Sequence, residues 1–168
     1  MSDDLDRVAA FREAAERYAA VIDAADGKTA EPAFAELAFV LPALYRAAVQ
    51  LPRVAATTAA LPDSARLTHE QWTAILRRLE TVFGVDDGYW TVVPFGEEKR
   101  DPLVGSLADD LADIYRDVRT GADLYEAGDL QDEIIWEWRF SFWSHWGWHA
   151  VDALRIVHAR LAEMGGPP

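Results

Sequence analysis

The sequence predicts an all-α protein: one domain over 1–168, built as a bundle of about five helices with a long central or C-terminal helix. Three observations predict this. Apolar residues recur at three- and four-residue steps through most of the chain. Helix caps and stops fall between those runs. A single irregular loop, near 84–102, interrupts the pattern for longer than a linker.

The first helix is expected near 4–25. Leu5, Val8, Phe11, Ala15, Tyr18 and Ile22 form one stripe, and Asp26-Gly27 ends it. The second runs near 30–51 on Phe34, Leu37, Leu41, Leu44, Tyr45 and Ala48. Pro42 removes one backbone bond inside it, which predicts a kink or break near Val40-Leu41. Residues 52–67 read as a linker with a short turn. Thr68-His-Glu-Gln71 is a capping-box pattern opening a third helix with Trp72, Ile75, Leu76, Leu79 and Val82 inward, stopped by Gly84.

Residues 84–102 form the irregular loop, with Thr91-Val92-Val93 as a short extended stretch. A fourth helix is expected to start near Leu103–Ser106 and reach about Tyr125, on Leu107, Leu111, Ile114, Val118, Gly121 and Tyr125. Gly128 ends that turn, and Asp129 is the expected N-cap of a fifth helix over roughly 130–163. The tail frays from about 164.

Bulk properties narrow the function classes. The net charge of −13 argues against a nucleic-acid partner, since phosphate contacts need clustered Lys and Arg. Without cysteine there is no disulfide scaffold, thiolate metal site or cysteine nucleophile. The first thirty residues carry no secretory signal, and no uninterrupted apolar run approaches a membrane span. A cytoplasmic protein is expected, with no membrane partner.

The segment Trp136-Glu-Trp-Arg-Phe-Ser-Phe-Trp-Ser-His-Trp-Gly-Trp-His149 holds five of the seven tryptophans and two of the four histidines. Unrolled at about 100° per residue, the fifth helix carries two opposed apolar stripes. Trp136, Phe140, Trp143, Gly147, Ala150, Leu154, Val157 and Leu161 form the expected core seam. Ile135, Trp138, Phe142, His145, His149, Asp152 and Ile156 form the second stripe, the candidate site. A helix apolar on two sides is either central to the bundle or lines a pocket or partner surface.

On that second stripe His145 and His149 lie one turn apart, the spacing of a helical metal chelate. The bland alternative is a pair of core histidines, each bonded to a carboxylate on a neighbouring helix. In the fourth helix Asp110, Asp113 and Asp117 border the core stripe, and Asp109 lies further round. Asp109-Asp110-x-x-Asp113 matches the spelling of the magnesium–diphosphate motif of isoprenoid synthases, but no second metal motif accompanies it. First-turn aspartates favoured by the helix dipole account for Asp109 and Asp110 and poorly for Asp117. If the fourth and fifth helices pack antiparallel, Asp110 and Asp113 approach His145 or His149.

Two stretches carry a resemblance: Pro102-Leu-Val-Gly-Ser-Leu-Ala-Asp-Asp-Leu-Ala-Asp-Ile-Tyr-Arg-Asp117, and Trp138-Arg-Phe-Ser-Phe with His145-Trp-Gly and His149-Ala-Val-Asp-Ala-Leu-Arg155. With Tyr89-Trp90 and Leu41-Pro-Ala-Leu-Tyr45, they resemble a bacterial family known as domain of unknown function 5063. The resemblance covers most of the chain. It implies an all-helical bundle and supplies no activity.

The leading expectation is a non-enzymatic interaction or small-ligand-binding protein, with a protein partner or a second copy engaging surplus aromatic surface. The alternative is a metal-dependent hydrolase of a phosphorylated or nucleotide-like substrate. Its divalent cation would sit on Asp110, Asp113, His145 and His149, with Arg139 or Arg155 on an anion. Asp109, Asp117 and Asp152 complete the polar cluster. Tyr89, Trp90, Trp138 and Phe142 are the candidate ligand-binding aromatics.

Overall fold

The computed structural model describes residues 2–55, 60–92 and 101–165. Its helices are α1 (Ser2–Asp23), α2 (Ala30–Val49), α3 (His69–Phe83), α4 (Leu107–Arg119), α5 (Ala122–Ala127), α6 (Gln131–Ser141) and α7 (Gly147–Glu163). A π-helical turn, Phe142–Trp146, joins α6 to α7 without interruption. Short strands β1 (Gly88–Thr91) and β2 (Leu103–Ser106) pair antiparallel, with Tyr89 opposite Gly105. The remaining part of the irregular loop, 93–100, lies outside the described residues, as do Val93 of the expected extended stretch and the tail 166–168.

The helices surround one apolar core. α1 packs on α2, α2 on α7, α7 on α4, and α3 lies against α4. Phe11, Trp138, Phe142 and Trp146 fill the centre, their ring centroids 4.8–6.5 Å apart in the measured pairs. Tyr18, fully buried, donates its hydroxyl to the Leu111 carbonyl at 2.8 Å, which ties α1 to α4. By composition and length α2 is apolar enough to cross a membrane, but its stripe from Phe34 to Ala48 is buried in the bundle.

The capping box forms as expected. Thr68 Oγ1 accepts from Gln71 N, and the Gln71 side chain accepts from Thr68 N. A 3-10 turn at Asp63–Ala65 supplies the linker's turn.

Several boundaries differ. Pro42 does not break α2, which is continuous from Ala30 to Val49. Proline forfeits one hydrogen bond, and the packing of Leu41 and Leu44 on either side holds the helix together. Leu103–Ser106 is a strand, so α4 starts at Leu107. Its N-terminus is capped by Asp87, whose Oδ1 accepts from Ala108 N at 2.7 Å, and by Ser106, whose Oγ accepts from Asp109 N at 3.1 Å.

The fourth helix also stops early, at Arg119, because Gly121 adopts φ +74° and opens the separate helix α5. A Cβ there would lie 2.9 Å from Ile134 Cγ1. Asp129 is not the cap of α6; Leu130, at φ 49°, occupies that position.

The largest correction concerns the tryptophan segment. Trp136 is only partly buried, and Phe140 and Trp143 are 53% and 54% exposed, so the expected core seam is not the core there. The buried line runs Trp138, Phe142, Trp146, Ala150, Ala153, Val157 and Leu161. It begins on one expected stripe and ends on the other. In a regular α-helix three successive four-residue steps drift by about 120°. The wider π turn absorbs much of that drift. Gly147 permits it: its N–H bonds to the Phe142 carbonyl, and a Cβ at 147 would stand 2.4 Å from that oxygen.

Candidate metal centre between two antiparallel helices

α4 presents Asp110, Asp113 and Asp117 at steps of three and four, which places all three on one face. The π turn presents His145, and α7 presents His149 one turn later. The two faces meet as an antiparallel ladder. His149 Nδ1 lies 2.7 Å from Asp110 Oδ1, and His145 Nδ1 lies 2.8 Å from Asp117 Oδ2. Asp113 stands between these rungs, and its Oδ2 is 3.6 Å from the Nε2 of both imidazoles.

A carboxylate accepts and does not donate, so each imidazole places its proton on Nδ1. In the neutral ring Nε2 is then the unprotonated nitrogen, and it faces Asp113. This is the carboxylate–histidine arrangement that orients metal-bound histidines. Asp113 is held in the same way. Its Oδ1 accepts from Trp72 Nε1 at 2.9 Å and forms an ion pair with Arg116 Nη2 at 3.0 Å, which leaves Oδ2 for the centre.

Ligand atoms of Asp113, His145 and His149 lie within 4.8 Å of one another. For bonds of about 2.0–2.1 Å a tetrahedral edge is about 3.4 Å, so a bound metal would have to draw these atoms closer together.

The cluster is reachable from solvent. The side chain of His145 is 40% exposed and that of His149 24%, whereas Asp110 is buried. Burial alone lowers the His149 pKa, but the Asp110 hydrogen bond and charge, with Asp113 and Asp109, outweigh it and raise the value above the ordinary imidazole range. Burial likewise raises the Asp109 carboxyl, aided by the charges of Asp113 and Asp110. Tyr89 donates a short hydrogen bond to Asp110 Oδ2. Burial first, and then that bond, raise its phenol far above the ordinary value, so it stays a donor.

Beside the ladder lies a cleft of about 460 Å³ that shares His149 and Asp110 with it. Tyr89, Trp148, Glu80, Asp109 and Asp152 line it together with apolar side chains of β2 and α3. Of the sequence candidates, Asp110, Asp113, Asp117, His145 and His149 therefore meet, and Asp109, Asp152 and Tyr89 border the cleft.

Others do not join them. Trp138 and Phe142 are core residues, 1% and 2% exposed, and the Trp138 indole donates to the Thr120 carbonyl at 2.8 Å. Neither lines the cleft beside the ladder. Trp90 is exposed on the strand face opposite Tyr89. Arg139 lies elsewhere: it bonds to the Leu51 carbonyl at 2.9 Å and stacks over Trp143. Arg155 is engaged by the Trp90 carbonyl, the Tyr89 ring and Asp152.

The sequence reading missed Trp72 as a holder of Asp113, and Gly105 and Gly147 as the residues that permit the local geometry. A glycine between two tryptophans inside a long helix was the legible signal, since glycine there costs about 1 kcal/mol unless a packing reason retains it.

Comparison with known proteins gives a family and a fold. The model of the family described as Domain of unknown function (DUF5063) matches residues 3–163. Among solved structures, protein BF1032 from Bacteroides fragilis is similar at 22% identity, with a TM-score of 0.77, over 91% of this chain and 93% of that one. At that identity the likeness speaks for the fold alone. No curated protein matches.

Proposed function

This chain belongs to the family of domain of unknown function 5063, and we propose that it binds one divalent transition-metal ion through His145, His149 and Asp113. The observation that carries this reading is that both imidazoles are fixed through Nδ1 by aspartates, so both Nε2 atoms approach the same carboxylate oxygen. Two imidazoles and one carboxylate suit zinc, iron(II) or manganese(II) rather than magnesium or calcium, which favour oxygen shells. Three protein ligands leave positions for water or a small ligand. A metal held this way acidifies bound water and polarises a carbonyl or phosphoryl oxygen, so hydrolysis is the reaction class that the donor set fits best.

The charge around the site argues against a phosphorylated or nucleotide-like substrate. A divalent ion and Arg116 would offset Asp110, Asp113 and Asp117. Glu80, Asp109 and Asp152 then remain along the cleft, with Arg155 beside Asp152. Like charges this close repel a phosphate. The cleft therefore suits a neutral or cationic small molecule.

Calorimetric titration of metal-stripped protein tests the reading. One equivalent of zinc or manganese is expected to bind, and His145→Ala with His149→Ala is expected to abolish it. Equal binding in the double variant removes the reading.

A second reading rests on a separate observation. Phe140, Trp143 and Val151 leave about half their surface exposed on the outer side of the long helix, and Trp136 stacks on Phe140 with centroids 4.8 Å apart. Exposed aromatics in this number fit docking of a protein partner. Sedimentation of wild type and Trp143→Arg over a range of concentrations decides whether that partner is a second copy.

A further inference from the structure

Tyr89 stands outside the set of metal ligands, yet the strand pair that carries it is built around its contact with Asp110. We propose that Tyr89 is a positioning residue for the metal centre: it fixes the carboxylate of Asp110, which in turn fixes the ring of His149. The proposal rests on the metal reading above for its consequence, and on geometry for the relay itself.

Asp110 has two carboxylate oxygens with separate tasks. Oδ1 accepts from His149 Nδ1 at 2.7 Å, and Oδ2 accepts the Tyr89 hydroxyl. A carboxylate bonded on one side only can turn about its Cβ–Cγ bond and swing its imidazole partner with it. Bonded on both sides, it cannot turn without breaking a bond to one of them. Asp110 is 6% exposed, so water is a poor substitute for either donor.

The other half of the argument lies in β2. Tyr89 faces Gly105 across the strand pair, and its ring crosses over that residue. A Cβ at 105 would stand 2.5 Å from Tyr89 Cζ and 2.8 Å from its hydroxyl oxygen. These contacts involve the ring and its hydroxyl, so the rigid head of the side chain would have to move. Gly105 thus leaves room for the one ring position that reaches Asp110. Arg155 closes the other side, with its guanidinium 5.4 Å from the ring centroid. At its far end β2 runs directly into α4, where Ser106 caps the helix that carries Asp110 and Asp113. One short strand therefore seats the tyrosine and starts the helix it acts upon.

Asp117 offers a built-in comparison. It holds His145 with a like hydrogen bond, and among the described residues its other neighbour is Arg116, 3.6 Å from Oδ1, rather than a tyrosine. Loss of the Tyr89 hydroxyl should therefore loosen His149 and leave His145 unchanged.

The test is a double-mutant cycle on zinc affinity with Asp110→Ala and Tyr89→Phe, the latter removing the hydroxyl while keeping the ring. Tyr89→Phe alone is expected to weaken zinc binding about tenfold, the lower end for outer-shell partners of metal-bound histidine. In the Asp110→Ala background the same change is expected to do nothing further. Gly105→Ala, which displaces the ring, should match Tyr89→Phe. In metal-free protein the downfield Nδ1 proton resonance of His149 should move in Tyr89→Phe, and that of His145 should not. Unchanged zinc affinity in Tyr89→Phe, or an equal loss with and without Asp110, overturns the proposal. Absence of zinc binding by the wild type overturns the metal reading instead, and the His149 proton resonance then decides the relay by itself.

Discussion

Asp110 and His149 come from helices of opposite direction and meet at 2.7 Å, with the carboxylate buried and the imidazole partly open to solvent. Everything proposed for the centre depends on that pairing. It fixes which nitrogen of His149 carries the proton, and so which nitrogen is left for a cation. Asp117 and His145 repeat the relationship one rung along the ladder, at 2.8 Å.

Replacing either supporting aspartate should weaken the centre without removing a ligand. Asp110→Asn and Asp117→Asn are each expected to lower zinc affinity roughly 10–100-fold. Calorimetry measures it. Asp113→Ala removes a ligand and should cost more than either.

Gly147→Ala tests the π turn. The added methyl would meet the Phe142 carbonyl, so the turn must tighten toward regular α geometry or the helix must shift. A loss of roughly 1–3 kcal/mol in unfolding free energy is expected, the usual range for overpacking. Because tightening rotates His149 relative to α4, zinc affinity should fall in the same variant. Urea denaturation and metal titration read the two effects separately.

The two tryptophan stripes should separate by stability. Trp138→Ala is expected to cost roughly 3–5 kcal/mol, as for a large core side chain, and Trp143→Ala less than about 1 kcal/mol. Equal losses in urea denaturation would restore the seam that a regular helix predicts.

The pH dependence has a defined sign. The folded-state pKa of His149 is raised above its ordinary 6.5. Its contribution to stability is therefore full below the unfolded value and is lost as pH rises through the folded value. Melting of metal-free protein followed by circular dichroism should show stability declining as pH rises from the ordinary imidazole value through the raised folded-state value of His149. His149→Gln should flatten that decline. Zinc affinity should rise over the same span, because the metal takes the neutral ring.

Much of this was legible in the sequence, for identifiable reasons. The capping box at Thr68 and Gln71 involves four consecutive residues, so it can be read locally. The Asp and His spacings are also local, and antiparallel packing of the fourth and fifth helices was the condition on which Asp110 and Asp113 were expected to approach His145 or His149. The π turn was not legible, because periodicity assumes a constant angle per residue. A single wide turn moved Trp138 and Phe142 from candidate ligand wall to core, and left Phe140 and Trp143 in solvent. β2 was read as the start of a helix because Leu103–Ser106 is too short to show alternation. Its identity rests on pairing with β1 fifteen positions earlier, and Tyr89's hold on Asp110 depends on that pairing. Trp72 looked like a core residue by spacing; its indole N–H found Asp113 only in three dimensions.

The most direct test of the central claim is an anomalous difference map from crystals soaked in zinc. One peak is predicted about 2.0–2.2 Å from Asp113 Oδ2, His145 Nε2 and His149 Nε2. A map with no peak there, or with zinc bound only at other surface groups, would contradict it.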